Sequence, residues 1–327
     1  MTPSAELPDL AALEEAAALV HTVVPPTPQY CWPLLSRRVG AELWIKHENH
    51  TPTGAFKVRG GVVYLGDLRK AQPEIRGVVT ATTGNHGQSV AYSAGALGLA
   101  ATIVVPHGNN PGKNRAMRGF GATLVEIGHD FQAAYEHAAV LAERENLHFV
   151  RSFHPLLIRG VASYALELFR GVPALDTVYV PVGLGSGICG VIAAREALGL
   201  STEVVGVVAE NAPTYALSFA AGRPVPTNRA DTLAEGLAVR VPDEAALAMI
   251  RKHAARIVTV SEAELRQAMR ILFTDTHNIA EGAGAATFAA ALKERARLQG
   301  KRVAVVQSGG NADHALFAQV LAEPEAE

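Results

Sequence analysis

The chain's 327 residues exceed one typical domain and leave room for two domains or one large α/β unit. Apolar residues make up 49%, and 30 glycines and 18 prolines punctuate the chain, a balance that argues against disorder and fits many short connections. With 29 basic against 31 acidic residues and no basic block or acidic tail, nothing points to nucleic acid or a membrane surface, so small molecules are the expected partners.

The opening stretch MTPSAELPDLAALEEAAALV lacks a basic region followed by an apolar run. It reads as an amphipathic helix capped near Pro8 and Asp9, and not as a signal peptide. No apolar run is long enough to span a bilayer. Cys31 and Cys189 cannot build a disulfide framework, no Cys/His set has zinc spacing, and His47 with His50 carries no metal signal; a reducing cytoplasm is the expected location.

Next comes NHTPTGAFKVRGG (49–61), which places Lys57 after a ring, Phe56, and before Gly60 and Gly61. β-Branched runs then alternate with Ala-rich helical patterns: VVTAT (78–82), QSVAYSAGALG (88–98), ATIVVP (101–106), NRAMRGFGA (114–122), TLVEIG (123–128), FQAAYEHAAVLAEREN (131–146) and LHFV (147–150). The rhythm returns with TVYVPVG (177–183), GVIAAREALG (190–199), EVVGVVAE (203–210) and RVAVVQSGG (302–310). Strand and helix alternating in such steps predict an α/β fold of two doubly wound, mostly parallel layers. Between the later strands, 211–256 contains Pro213, Pro224, Pro226 and Pro242 with broken helical periodicity, and is expected to be a cover or connection. No internal repeat appears.

Ligands in open α/β sheets bind at the carboxyl ends of strands, so four loops are the places to search. TTGNHGQS (82–89) follows a strand and opens a helix; its amides, the Thr82 and Thr83 hydroxyls and the Asn85 amide suit a carboxylate or phosphate. GLGSGICG (183–190) would suit any phosphate. Its Gly185, Gly187 and Gly190 meet the dinucleotide spacing imperfectly, but Glu210 stands where a ribose-binding acid would, so on this loop alone a nicotinamide cofactor stays open. QSGGNAD (307–313) puts Ser308 at a strand end. In the fourth loop, Lys57 is set among small and apolar residues, and an amine desolvated there becomes a nucleophile toward an aldehyde.

In order and over nearly the full length, ENHTPTGAFKVRGG (48–61), TTGNHGQSVA (82–91), PGKNRAMRGFGA (111–122), GLGSGICG (183–190), AEGAGAATFAA (280–290) and VQSGGNAD (306–313) resemble the fold-type II pyridoxal phosphate enzymes, and among them the threonine/serine dehydratase and serine racemase family. The resemblance implies a tryptophan-synthase-β-like architecture of two open twisted sheets flanked by helices. A large cofactor-binding domain would comprise 1–72 and 150–327, and a small mobile domain 73–149, with a homodimer as the assembly. It implies pyridoxal 5′-phosphate held by Lys57 through its aldehyde, with Lys57 then acting as general base at Cα. Phe56 would lie against the ring, Asn85 would bond the 3′-oxygen, and Gly183, Leu184, Gly185, Ser186 and Gly187 would bind the phosphate. Thr82, Thr83, Gly84, Asn85 and His86 would bind the substrate carboxylate.

Ser308 would face the pyridine nitrogen. A neutral hydroxyl there makes the ring a weaker electron sink and favours loss of a β-substituent over transamination. The implied reaction is α,β-elimination from an L-β-hydroxy amino acid, threonine or serine with phenylserine and hydroxyaspartate as variants, giving a 2-oxo acid and ammonia. A racemase or a β-replacement transferase on the same cofactor is the alternative.

Three departures from the family pattern carry consequences. Thr83 stands where the racemases use a serine opposite the lysine, which makes racemisation the weaker expectation. Glu210 is followed by NAPTY without the second acid of metal-dependent members, so no metal is expected. The family's Gly-Gln-Gly-Thr segment reads GVAS (160–163). The chain ends soon after Ser308, so no C-terminal regulatory domain, and no feedback inhibition by isoleucine, is expected.

Overall fold

The computed structural model describes residues 7–324; residues 1–6 and 325–327, counted above within the large domain, lie outside it. Ten strands are formed: β1 (Gln29–Cys31), β2 (Glu42–His47), β3 (Gly77–Ala81), β4 (Ala100–Val105), β5 (Thr123–Glu126), β6 (His148–Phe149), β7 (Thr177–Pro181), β8 (Glu203–Ala209), β9 (Arg256–Val260) and β10 (Arg302–Gln307). They make a six-stranded sheet in the order β1-β2-β10-β7-β8-β9 and a four-stranded sheet in the order β5-β4-β3-β6. Only β1 against β2 is antiparallel.

The burial of the strands explains the parallel arrangement. Every residue of β3 and β7 is buried, as expected where helices cover both faces. Val178 and Val180 pack with the helices Pro155–Gly171 and Ser186–Ala197, whereas Tyr179 points the other way, toward the helix Gly282–Lys293. In the four-stranded sheet, Val79, Ala81 and Val104 pack on the helix Phe131–Arg144, and Val78, Ile103 and Val105 form a core with the helices Asn85–Ala96 and Lys57–Ala71. The latter helix serves both sides: Tyr64, Leu65 and Leu68 join the four-stranded core, and Val58, Val62 and Val63 pack on the helix Leu10–His21. Asp9 caps that first helix by accepting from the Ala12 amide at 2.8 Å, at the place where the sequence predicts the cap.

β10 enters between β2 and β7, so chain order reverses there and the loops beyond those three strands converge on one crevice. A buried ionic network fixes the helix that leaves this crevice. Arg59 donates to Glu48 at 2.7 Å, to Glu167 at 2.6 Å and to Ser163 at 3.0 Å, while Lys46 donates to Glu167 at 2.5 Å. Arg59, Glu48 and Lys46 are fully buried, so the two cations and two carboxylates compensate one another where isolated charges would be prohibitive. The GVAS segment belongs to this seam: a Cβ on Gly160 would lie 2.3 Å from the Arg59 carbonyl, so only glycine lets the two helices approach.

The 211–256 stretch is more ordered than its prolines suggest, with the helices Thr214–Ala221 and Glu244–His253 and a 3₁₀ turn Glu235–Leu237 between them. No described helix is long and apolar enough to cross a membrane.

Candidate active site

Lys57 is the first residue of its helix, and burial pulls its ammonium down from 10.5 to about 8. Its Nζ lies 3.4 Å from the Ser186 hydroxyl and 5.3 Å from the centre of the Phe56 ring. Phe56 in turn packs edge-on against Tyr164, and a Cβ on Gly187 would meet it at 3.5 Å. The lysine loop is therefore joined to the glycine loop after β7.

That loop ends at Gly185, in the left-handed region at φ 104°, which a side chain would resist; its Cβ would also sit 2.6 Å from Ala246. Gly183 faces the Gly236 carbonyl, 2.3 Å from where a Cβ would be. The helix Ser186–Ala197 begins without a side-chain cap, so its first amides remain for an anion. Tyr215 donates to the Leu184 carbonyl at 3.0 Å and Tyr164 to that of Gly187 at 3.3 Å, which holds the loop open.

Across the crevice the 82–86 loop opens the helix Asn85–Ala96, again with no side-chain cap. Thr82 is buried and accepts from the Gly84 amide at 3.1 Å, so its hydroxyl shapes the loop. Thr83 is half-buried, and among the described residues its hydroxyl has no hydrogen-bond partner. His86 is buried, and burial together with the charge of Lys57 holds its imidazole at about 3; it is neutral at ordinary pH, and its Nε2 lacks a partner.

The loop after β10 closes the ring. The Phe56 amide donates to the Ser308 carbonyl at 3.0 Å, and Ala55 bridges Gly309. Ser308 is buried. Asn311 donates to the Asn85 carbonyl at 2.9 Å, and Asn85 donates to Glu281 at 2.6 Å, so the Asn85 amide is clamped from two sides. All the predicted site residues thus lie in four adjoining loops.

Sequence reasoning missed several neighbours. Glu281 and Lys113 stood inside the quoted stretches AEGAGAATFAA and PGKNRAMRGFGA, but neither stretch says what the fold places opposite those charges. Burial raises the Glu281 carboxyl, opposed by the charge of Lys113 and the bond from Asn85. Lys113 pairs with Glu235 at 2.5 Å; Glu235 comes from the proline-rich connection, where nothing in the sequence marked it. Glu210, the candidate ribose acid, is exposed, with its amide bonded to the Val260 carbonyl at 2.8 Å. Among the described residues, no group of three or more His, Cys, Asp or Glu could hold a metal.

A doubly wound sheet whose switch point gathers a nucleophilic amine and a glycine-lined anion loop, facing a second sheet with its own uncapped helix start, defines an enzyme that binds an aldehyde-bearing phosphate cofactor. Residues 20–309 match the family described as pyridoxal-phosphate dependent enzyme. The chain is 35% identical over 310 residues to the L-threonine ammonia-lyase of Thermotoga maritima, covering 94% of this chain and 77% of that protein. The processed form of threonine deaminase isoform 2 from Solanum lycopersicum superposes with a TM-score of 0.89 at 28% identity, over 98% of each chain. Maize serine racemase superposes at 0.91 with 26% identity, over 96% of this chain and 97% of that one. The chain belongs to the fold-type II pyridoxal-phosphate dependent enzymes, and the nicotinamide reading of the glycine loop falls away.

The residues present fit that cofactor. Lys57 offers an amine of lowered proton affinity, the uncapped start of the helix Ser186–Ala197 offers amides to a phosphate, and Gly185 at φ 104° gives the loop a turn that a side chain would resist.

Proposed function

We propose that this enzyme is a dehydratase, or ammonia-lyase, converting an L-β-hydroxy amino acid of the threonine or serine type to a 2-oxo acid and ammonia by α,β-elimination. The observation that carries the reading is the Lys57 amine, drawn to about 8 by burial, beside Ser186 at the head of the glycine-loop helix. The cofactor supplies an electron sink conjugated to the substrate's α-carbon. Lys57 Nζ would hold the cofactor through its aldehyde, and the free amine would take the substrate's α-proton as general base. Gly183, Leu184, Gly185, Ser186 and Gly187 hold the phosphate chiefly through backbone amides, and Phe56 bounds the ring. Asn85 keeps one amide hydrogen for the 3′-oxygen, because Glu281 takes the other and Asn311 occupies its carbonyl.

Ser308 would offer the cofactor's ring nitrogen a neutral hydroxyl, which would favour departure of the β-hydroxyl over reactions that need a protonated ring. The amides and hydroxyls of 82–86 bind the α-carboxylate. Thr83 would hold the position from which the family's racemases return the proton, and its bulk would disfavour racemisation. The 73–149 unit closes over bound substrate and expels water. No metal takes part. The enzyme works as a homodimer, as the family resemblance implies, and in a reducing cytoplasm, as its two unpaired cysteines suit.

The test is a panel of L-threonine, L-serine, threo-phenylserine and threo-hydroxyaspartate, scored for 2-oxo acid and ammonia with wild type and Lys57→Ala. Turnover of threonine or serine that falls at least about 10³-fold in the variant is expected. D-amino acid accumulating without 2-oxo acid would replace this reading with a racemase, and a preference for phenylserine or hydroxyaspartate would change the substrate.

A further inference from the structure

Lys113 is the third residue of the helix Pro111–Gly119 and lies at the cleft with its side chain 9% exposed. Its terminus lies along the 82–86 loop: a Cβ on Gly84 would stand 2.9 Å from Lys113 Cδ and 3.3 Å from Nζ. Beside it is the uncapped start of the helix Asn85–Ala96, whose N-cap is Gly84. A cation over a set of orphan amides makes a stronger carboxylate site than amides alone, because a charge-assisted hydrogen bond adds to the helix-terminal dipole.

The partner of Lys113 is asymmetric with it. Glu235 Oε2 lies 2.5 Å from Nζ, yet the Glu235 side chain is 46% exposed. The amine is fixed in the protein, and the carboxylate can swing into water without losing solvation.

We infer that Lys113 is a substrate-binding residue that pairs with the α-carboxylate of the amino acid, and that Glu235 is its stand-in counter-ion, released when substrate enters. The inference rests on the reading of 82–86 as the carboxylate site. Lys113 thereby reads the carboxylate itself, distinguishing an amino acid from its amide. Glu235 keeps a mostly buried ammonium from standing alone between turnovers, at some expense in substrate affinity.

The two residues give the inference opposite signs in one experiment. Protein loaded with pyridoxal 5′-phosphate is titrated with glycine and with glycinamide, neither of which has a β-leaving group, and binding is read from the visible absorption of the cofactor. For Lys113→Met the glycine dissociation constant is expected to rise roughly 10- to 100-fold, the equivalent of one charge-assisted hydrogen bond, while that for glycinamide stays within about threefold. Glu235→Gln is expected to bind glycine as tightly as wild type or more tightly. Equal losses for glycine and glycinamide in Lys113→Met, or unchanged glycine binding, overturn the inference. So does Glu235→Gln weakening glycine as much as Lys113→Met, since a structural clamp across the cleft would do that. Melting temperatures of both variants are measured alongside, and Lys113→Arg is expected to recover most of the glycine affinity. Failure of the cofactor reading would show in wild type, as absence of the visible band; failure of this inference shows only in the variants.

Discussion

The two sheets of this enzyme keep their charges in different places. Around the six-stranded sheet, Arg59, Lys46, Glu48 and Glu167 form a buried network, with Arg59 two residues beyond Lys57 on the same helix. Around the four-stranded sheet the ion pairs Arg118–Glu126 and Arg144–Glu145 lie at the surface, with every partner at least 40% exposed. The strands differ by place as well: β3 and β7, inside their sheets, are wholly buried, whereas β5 and β6, at the edges of the four-stranded sheet, contain no buried residue. The charges nearest Lys57 are therefore buried and paired, whereas these two pairs beside the four-stranded sheet meet solvent. What crosses between them at the site is polar: Asn85 to Glu281 and Asn311, Asn110 to Asp313, and Lys113 to Glu235.

Breaking the buried network has the largest expected effect on stability. Arg59→Ala leaves Glu48 fully buried without its cation and is expected to cost about 3–5 kcal/mol, measured as a shift of the urea midpoint. A shift below about 1 kcal/mol would show that the network is dispensable. Gly185→Ala tests the neighbouring loop: its φ of 104° and the contact with Ala246 are expected to cost about 1–3 kcal/mol and to weaken cofactor binding. Fluorescence titration with pyridoxal 5′-phosphate checks it.

The next expectation concerns pH. In cofactor-free folded protein Lys57 gives up its proton near pH 8, whereas in the unfolded chain it keeps it to about 10.5. Between those values the unfolded state binds more protons, so this group makes folding more favourable as pH rises, and its burial is most costly below pH 8. The same deprotonation makes the amine nucleophilic. The rate of pyridoxal 5′-phosphate capture should therefore rise with pH and level off above about 8. A rise continuing beyond pH 10 would mean an ordinary solvated lysine.

The smallest effect sharpens the contrast. Arg118→Ala removes an ion pair whose partners are 52% and 40% exposed, and is expected to change stability by less than about 1 kcal/mol. Hydrogen exchange gives the same comparison without substitution, with β5 amides expected to exchange faster than those of β7.

Much of this was legible in the sequence because it is written in short-range patterns. The runs that predict β3, β4, β5, β7, β8 and β10 form those strands, since apolar β-branched stretches between helical ones have few other uses. β1, β2 and β9 were not read: the first is three residues long, the second mixes Glu42, Lys46 and His47 into its apolar run, and the third follows the proline-rich connection. The site lysine was legible from its small neighbours and the anion loops from their glycines. Glu281, Lys113 and Glu235 were not, because a charge acquires a role from what the fold places opposite it. GVAS stood out only as a departure from the family pattern; that its glycine and serine serve the contact with Arg59 is revealed only by the tertiary packing.

The central claim is a covalent one, and reductive trapping addresses it directly. Purified protein incubated with pyridoxal 5′-phosphate, treated with borohydride and digested should yield one modified peptide, with the phosphopyridoxyl mass on Lys57 and loss of the visible band. Modification spread over surface lysines, or none at position 57, would contradict the account.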